Sequence, residues 1–112
     1  MNEASDLQIV FCTFPDLEQA RQIGTALVEK QLAACVNLLP GVESIYRWQG
    51  AVESAAEVLA VFKTTRSEFP AFSEALGALH PYEVPEILAI EPSAAAVAYA
   101  AWVREMVGPP VP

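Results

Sequence analysis

Two apolar runs that face each other across Gln49-Gly50 constrain this chain more than any other feature. Ala33 to Leu39 continues, after Pro40-Gly41, into Val42 to Trp48, and beyond the turn "AVESAAEVLAVFKTT" ends in the strongly apolar stretch Val58 to Phe62. Runs rich in β-branched and aromatic residues on either side of a Gly-containing turn read as a hairpin. Pro40-Gly41 predicts a bulge or bend within it, because proline supplies no ladder N–H and glycine admits irregular backbone. A hairpin of this length is only marginally stable by itself, so other strands or helices must cover it, and its exposed edge needs a neighbour.

The flanking segments supply that cover. Leu7 to Phe14 ("LQIVFCTF") is too short and too β-branched for a helix and is closed by Pro15, which predicts a strand. Asp16 with Gln19 resembles a capping box, and Ala20, Ile23, Gly24, Leu27 and Val28 then recur at helical spacing up to Lys30. After the hairpin, Ser67 is expected to open a second helix with an apolar face of Phe69, Phe72, Leu76 and Leu79, Pro70 being tolerated in its first turn. Pro81 ends that helix by pushing His80 toward extended backbone. Glu86 to Glu91 predicts a fourth strand alternating around Ile87, Leu88 and Ile90, and Ser93 is expected to cap a last helix carrying Tyr99, Trp102, Val103 and Met106, terminated by Gly108 and Pro109.

The resulting order is α+β: a ferredoxin-like βαββαβ unit with an extra C-terminal helix. Each helical crossover returns the chain in the same strand direction and the hairpin reverses it, so an antiparallel sheet in the order 4-1-3-2 is predicted. The C-terminal end of strand one then lies beside the start of strand four. A length of 112 residues suits one domain, 1–112, with an ordered core from about 7 to 107 and no linker or repeat.

Six Lys and Arg against fourteen Asp and Glu leave a net charge of -8, which repels phosphate backbones and anionic lipid; nucleic-acid and membrane partners are not expected. The uncharged stretches Gln31 to Val42 and Pro92 to Val103 fall short of the roughly 18 residues a spanning helix needs. The acidic start, Met1 to Asp6, has neither the basic nor the apolar region of a signal peptide, so a cytoplasmic protein is expected, its cysteines kept as thiols. An apolar content of 54% and a mean hydropathy of +0.32 exceed what a soluble domain ordinarily carries, and a subunit interface would absorb the excess.

The predicted topology brings Cys12, near the end of strand one, and His80, just before strand four, to one end of the sheet. Cys35 falls toward the opposite end on another strand. A thiolate and an imidazole favour Cu(I), Cu(II) or zinc over calcium and magnesium, although two ligands do not close a zinc site. The same residues are equally a small buried core side chain and a helix terminus. A Cys–His nucleophile would lack an orienting carboxylate and a Gly-rich oxyanion loop, and no phosphate-cradling GxxxxGK or GxGxxG is present. Tyr46 and Trp48 either stack on a ligand or pack at an interface, and Lys63 either grips a ligand or ends a strand in solvent.

The segments "FCTFPD", "EKQLAACVNLLPGVESIYRWQG", "EVLAVFKTT" and "HPYEVPEI", in this order and spacing, resemble the CutA family of divalent-cation tolerance proteins from Ile9 to about Met106. The resemblance implies a compact homotrimer built through the long hairpin, as in PII-type signalling proteins, with no catalytic reaction and no organic cofactor. It also implies copper binding, with other divalent cations weaker, through Cys12 and His80; Leu79 stands where the family has a further histidine. A second implication is a cleft between subunits, lined by Trp48, Glu57, Lys63, Tyr82 and Glu86, that holds an unidentified small molecule. An acylphosphatase-type enzyme on the same fold would need a basic phosphate loop after strand one, where this chain has acidic Pro15-Asp16-Leu17-Glu18.

Overall fold

A computed structural model describes residues 6–108; Pro109, expected to end the last helix, and the N-terminal residues 1–5 lie outside the described residues. Strand β1 (Leu7–Phe14) leads into helix α1 (Leu17–Glu29), then β2 (Cys35–Trp48), β3 (Ala51–Thr65), α2 (Phe69–Leu79), β4 (Leu88–Ile90) and α3 (Val97–Met106). The sheet order β2-β3-β1-β4 is the predicted one read from the other edge. All pairs are antiparallel: β3 runs beside β1 from Leu7↔Thr65 to Phe14↔Val58, and β4 adds only Ile9↔Ile90, Val10↔Ala89 and Phe11↔Leu88.

The hairpin turns at Gln49 and Gly50, whose φ of 48° and 82° give a two-residue turn with both centres left-handed, the twist that matches antiparallel strands. Its bulge falls at Pro40-Gly41: β2 takes three steps from Leu39 to Val42 while β3 takes two from Leu59 to Glu57, with Gly41 at φ 78°. Asp16 caps α1 as the sequence suggests, accepting from the Gln19 backbone N–H at 2.8 Å and from its side-chain amide at 2.7 Å.

Both α1 and α2 cover one face of the sheet. Val10, Cys12 and Phe14 of β1 alternate into that layer with Val58, Ala60 and Phe62 of β3, against Ile23 and Leu27 of α1 and Phe72 and Leu76 of α2. Gly24 permits the close approach, since a Cβ there would lie 3.1 Å from Val36 Cγ1. Among the described residues, the opposite face, carrying Phe11, Leu59 and Val61, receives only α3, whose Ala100 and Val103 bury Leu7 and Ala34. Arg104 clamps this helix to the start of β1 through Nε and Nη2 on the two Asp6 oxygens, both at 2.8 Å.

Four expectations change. Glu68, not Ser67, is the residue before α2, because the Ser67 hydroxyl faces Thr65 at 3.2 Å. Leu79 is 41% exposed; the buried stripe proceeds in steps of four from Phe72 to Leu76 and on to His80, so the imidazole takes the place expected of the leucine. Strand β4 shrinks to Leu88–Ile90, held between Pro85 and Pro92. The last helix begins at Val97 without a side-chain cap, since Ser93 to Ala96 is spent carrying the chain across to the far face of the sheet.

Phe72 is fully buried and meets Phe62 edge-on at a centroid distance of 5.0 Å. Phe72→Ala should therefore cost about 3–5 kcal/mol, read as a lowered midpoint in urea denaturation with an unchanged slope.

Candidate functional site

Where β1 ends, the chain has placed its only histidine under a backbone carbonyl. His80 closes α2 in extended geometry, φ -69° and ψ 139°, as Pro81 requires. Its ring stacks on Phe14 with centroids 4.7 Å apart, and Nε2 lies 2.8 Å from the Thr13 carbonyl oxygen. A carbonyl only accepts, so Nε2 carries the proton. Nδ1 then accepts the Tyr82 backbone N–H at 3.0 Å, which defines one neutral tautomer. Burial holds the His80 pKa below its ordinary value, opposed by the bond to Thr13 and the charge of Glu57.

Cys12 is completely buried in the helix-covered layer. Its thiol approaches the same Thr13 carbonyl at 3.8 Å. Burial, reinforced by the charges of Glu86 and Glu57, pushes its pKa up to about 12. Thiol and imidazole thus come to the same end of the sheet, but neither ring nitrogen has a free lone pair and the thiol holds its proton firmly. Among the described residues no three His, Cys, Asp or Glu side chains cluster to hold a metal. Within one chain the arrangement does not fit copper unless the imidazole gives up one of its two hydrogen bonds.

Beside His80 the Tyr82 ring tilts at 4.8 Å, and its hydroxyl donates to Glu57 Oε2 at 2.6 Å. Burial, then this bond and the Glu57 charge, raise the phenol pKa, with smaller contributions from Tyr46 and Asp16. Glu57, Tyr82 and His80 therefore form one polar group at the root of the hairpin. Glu86 is exposed nearby, close enough for its charge to act on Cys12.

Trp48 and Lys63 do not join them. Trp48 pairs with Ala51 at the hairpin tip, while Lys63 sits opposite Cys35 and donates to Asn37 Oδ1. The twelve strand steps between Ala51 and Lys63 span about 40 Å, so one chain cannot bring both to one small ligand. Two contacts carried no sequence signal: the Thr13 carbonyl, which any residue would supply, and the approach of Cys35 Sγ to Tyr99 Oη at 3.8 Å.

The family model described as CutA1 divalent ion tolerance protein matches residues 8–106. The chain belongs to the CutA family. It is 50% identical over 101 residues to the divalent-cation tolerance protein CutA of Thermus thermophilus, covering 90% of this chain and 98% of that protein. Human protein CutA is 44% identical over 96 residues, covering 86% of this chain but 54% of its own length, so the chain spans about half of that relative. The crystal structure of CutA from Xylella fastidiosa superposes with a TM-score of 0.90 at 40% identity, covering 93% of this chain and 100% of that one. CutA relatives differ in compartment by name, one from Arabidopsis thaliana being chloroplastic and one from Archaeoglobus fulgidus periplasmic. Among the described residues of this CutA chain no helix is long and apolar enough to cross a membrane.

The neutral His80 makes a signed prediction. Its folded pKa lies below the unfolded one, so its contribution is complete above the ordinary imidazole value of about 6.5 and is lost as pH falls below it. The urea midpoint of the parent protein should drop between pH 7 and pH 5, and that of His80→Gln should drop less.

Proposed function

We propose that this CutA protein serves divalent-cation tolerance as a non-catalytic, PII-like homotrimer in the cytoplasm, binding a small molecule in a cleft between its subunits. The observation that carries the reading is the hairpin arm. No residue between Leu39 and Glu57 is buried, yet Ile45, Val52 and Trp48 there are 69%, 67% and 58% exposed. The sheet face without α1 and α2 adds Leu88, Ile90 and Leu39, all exposed. Apolar surface in two separate places, one on a projecting arm and one on a flat sheet, is satisfied when each copy's arm lies against a neighbour.

The same arm assembles the cleft. Because Trp48 and Lys63 are too far apart in one chain, they can join the Glu57, Tyr82 and Glu86 group only from different copies. The Tyr82–Glu57 bond orients a phenol and a carboxylate at the root of the arm, where an entering ligand exchanges that hydrogen bond for its own.

Copper on Cys12 and His80 is a second reading, favoured by the Thr13 carbonyl that both side chains approach. It requires the imidazole to surrender Thr13 or Tyr82, and so ranks below the cleft.

Sedimentation equilibrium tests the assembly: the parent should sediment at three times the chain mass, Leu88→Asp and Leu39→Asp should dissociate it, and Val84→Asp, at an exposed loop site, should not. A parent that sediments as a monomer overturns the proposal. Anaerobic Cu(I) titration separates the two ligand readings. Under the cleft reading Cys12→Ser and His80→Ala take up copper as the parent and Cys35→Ser do; selective loss in the first two restores the copper site.

A further inference from the structure

On the far face of the sheet, between α3 and the start of β1, lies a cavity of about 100 Å³ with a hydrocarbon wall from Leu7, Ile9, Pro92, Ala95 and Val103. The polar residues that border it have their polar ends engaged elsewhere. Gln8 and Thr64 alternate to the opposite face of the sheet, the Lys63 ammonium meets Asn37 on β2, and the Tyr99 hydroxyl lies 3.8 Å from Cys35. A water molecule here would lack the partners it needs. The fitting occupant is therefore hydrocarbon, and the volume gives its size. A cavity of about 150 Å³ takes a benzene ring, so one of about 100 Å³ takes about four carbons, the reach of a valine or isoleucine side chain.

The chain carries such side chains, largely exposed, on its arm: Val52 and Ile45. Val52 stands opposite Arg47 and Ile45 opposite Ser54, so the two are diagonal neighbours on one face of the ladder and make a short apolar ridge. Its reach follows from the strand lengths. β3 runs seven steps past its last pair with β1, from Val58 to Ala51, and β1 is itself seven steps long, from Leu7 to Phe14. Each length is about 23 Å. An arm that enters the far face of a second copy beside Phe14 therefore ends beside Leu7. Val52, six steps out from Val58, lands six steps in from Phe14, at Gln8 between the Leu7 and Ile9 of the cavity wall. Arm and cavity are different surfaces, so the contact is head-to-tail and passes on round a closed ring.

We propose that the cavity between α3 and the sheet is a socket for Val52 of a second copy, with Ile45 of the same arm behind it against the exposed Leu88 and Ile90. The inference rests on the homotrimer proposed above and names the contact that closes it. The same landing carries Trp48, one step beyond Val52 at the tip, to the Lys63 end of the neighbouring sheet.

The test uses the whole chain. In a Cys35→Ser background, Val52→Cys combined with Ala95→Cys and treated with oxidised glutathione should give covalently linked chains up to the trimer on a non-reducing gel, and Val52→Cys combined with Val84→Cys should give no linked trimer. Sedimentation equilibrium in moderate urea reads the affinity. Val52→Ile adds one carbon to the plug and should lower the concentration of half-dissociation about fourfold for each contact. Ala95→Leu fills the socket from within and should raise that concentration about tenfold, and Val52→Ala added to Ala95→Leu should recover part of the loss, which a mere folding defect near α3 would not allow. A parent trimer whose Val52 and Ala95 cysteines do not link, that Val52→Ile does not tighten, or whose Ala95→Leu loss is not relieved by Val52→Ala overturns the socket and leaves the trimer standing. A parent that sediments as a monomer overturns both.

Discussion

The ladder between β1 and β3 is the interaction on which the rest of this molecule depends. It joins the first strand to the return arm of the hairpin over the whole of β1, from Leu7↔Thr65 to Phe14↔Val58, and thereby sets two faces with different fates. The residues of one parity, Val10, Cys12 and Phe14 with Val58, Ala60 and Phe62, form the buried layer under α1 and α2. Those of the other parity are left to α3 and to whatever else the chain meets. A slip of one residue would exchange the two sets, placing Phe11 and Lys63 under the helices, where the ammonium would be buried without a partner.

Because β3 outlasts β1, the hairpin continues as an arm beyond the last shared pair. The polar group at the root of the arm follows from where β1 stops. At its end a carbonyl becomes available, His80 seats its ring there, and Tyr82 reaches past it to Glu57 on the arm. At its beginning α3 folds over the sheet and leaves the cavity beside Lys63.

The buried imidazole has a structural task that its residue type does not announce. A histidine and a cysteine at one sheet end suggest metal ligation by composition. Here the ring is more plainly a structural clip: it stacks on Phe14, donates to Thr13 and accepts from Tyr82, fixing the turn after α2 so that Tyr82 can meet Glu57. Such a clip is worth most when neutral, which burial ensures.

Much was legible in the sequence alone. The order of elements, the antiparallel sheet, the bulge at Pro40-Gly41, the Asp16 cap and the family itself follow from local periodicity, turn chemistry and motif spacing, all of which act over short stretches of chain. Tertiary structure decided what those rules do not reach. Whether Leu79 or His80 continues the buried stripe depended on the Thr13 carbonyl offered by a distant strand, and a backbone acceptor has no signature in residue identity. Lys63 was separated from Glu57 and Tyr82 by the length of β3, and its ammonium meets Asn37 on the neighbouring strand instead. The start of α3 was set by the crossing to the far face rather than by Ser93. Local physics determines which elements form, while the partners of a polar side chain are settled only when segments remote in sequence are packed against it.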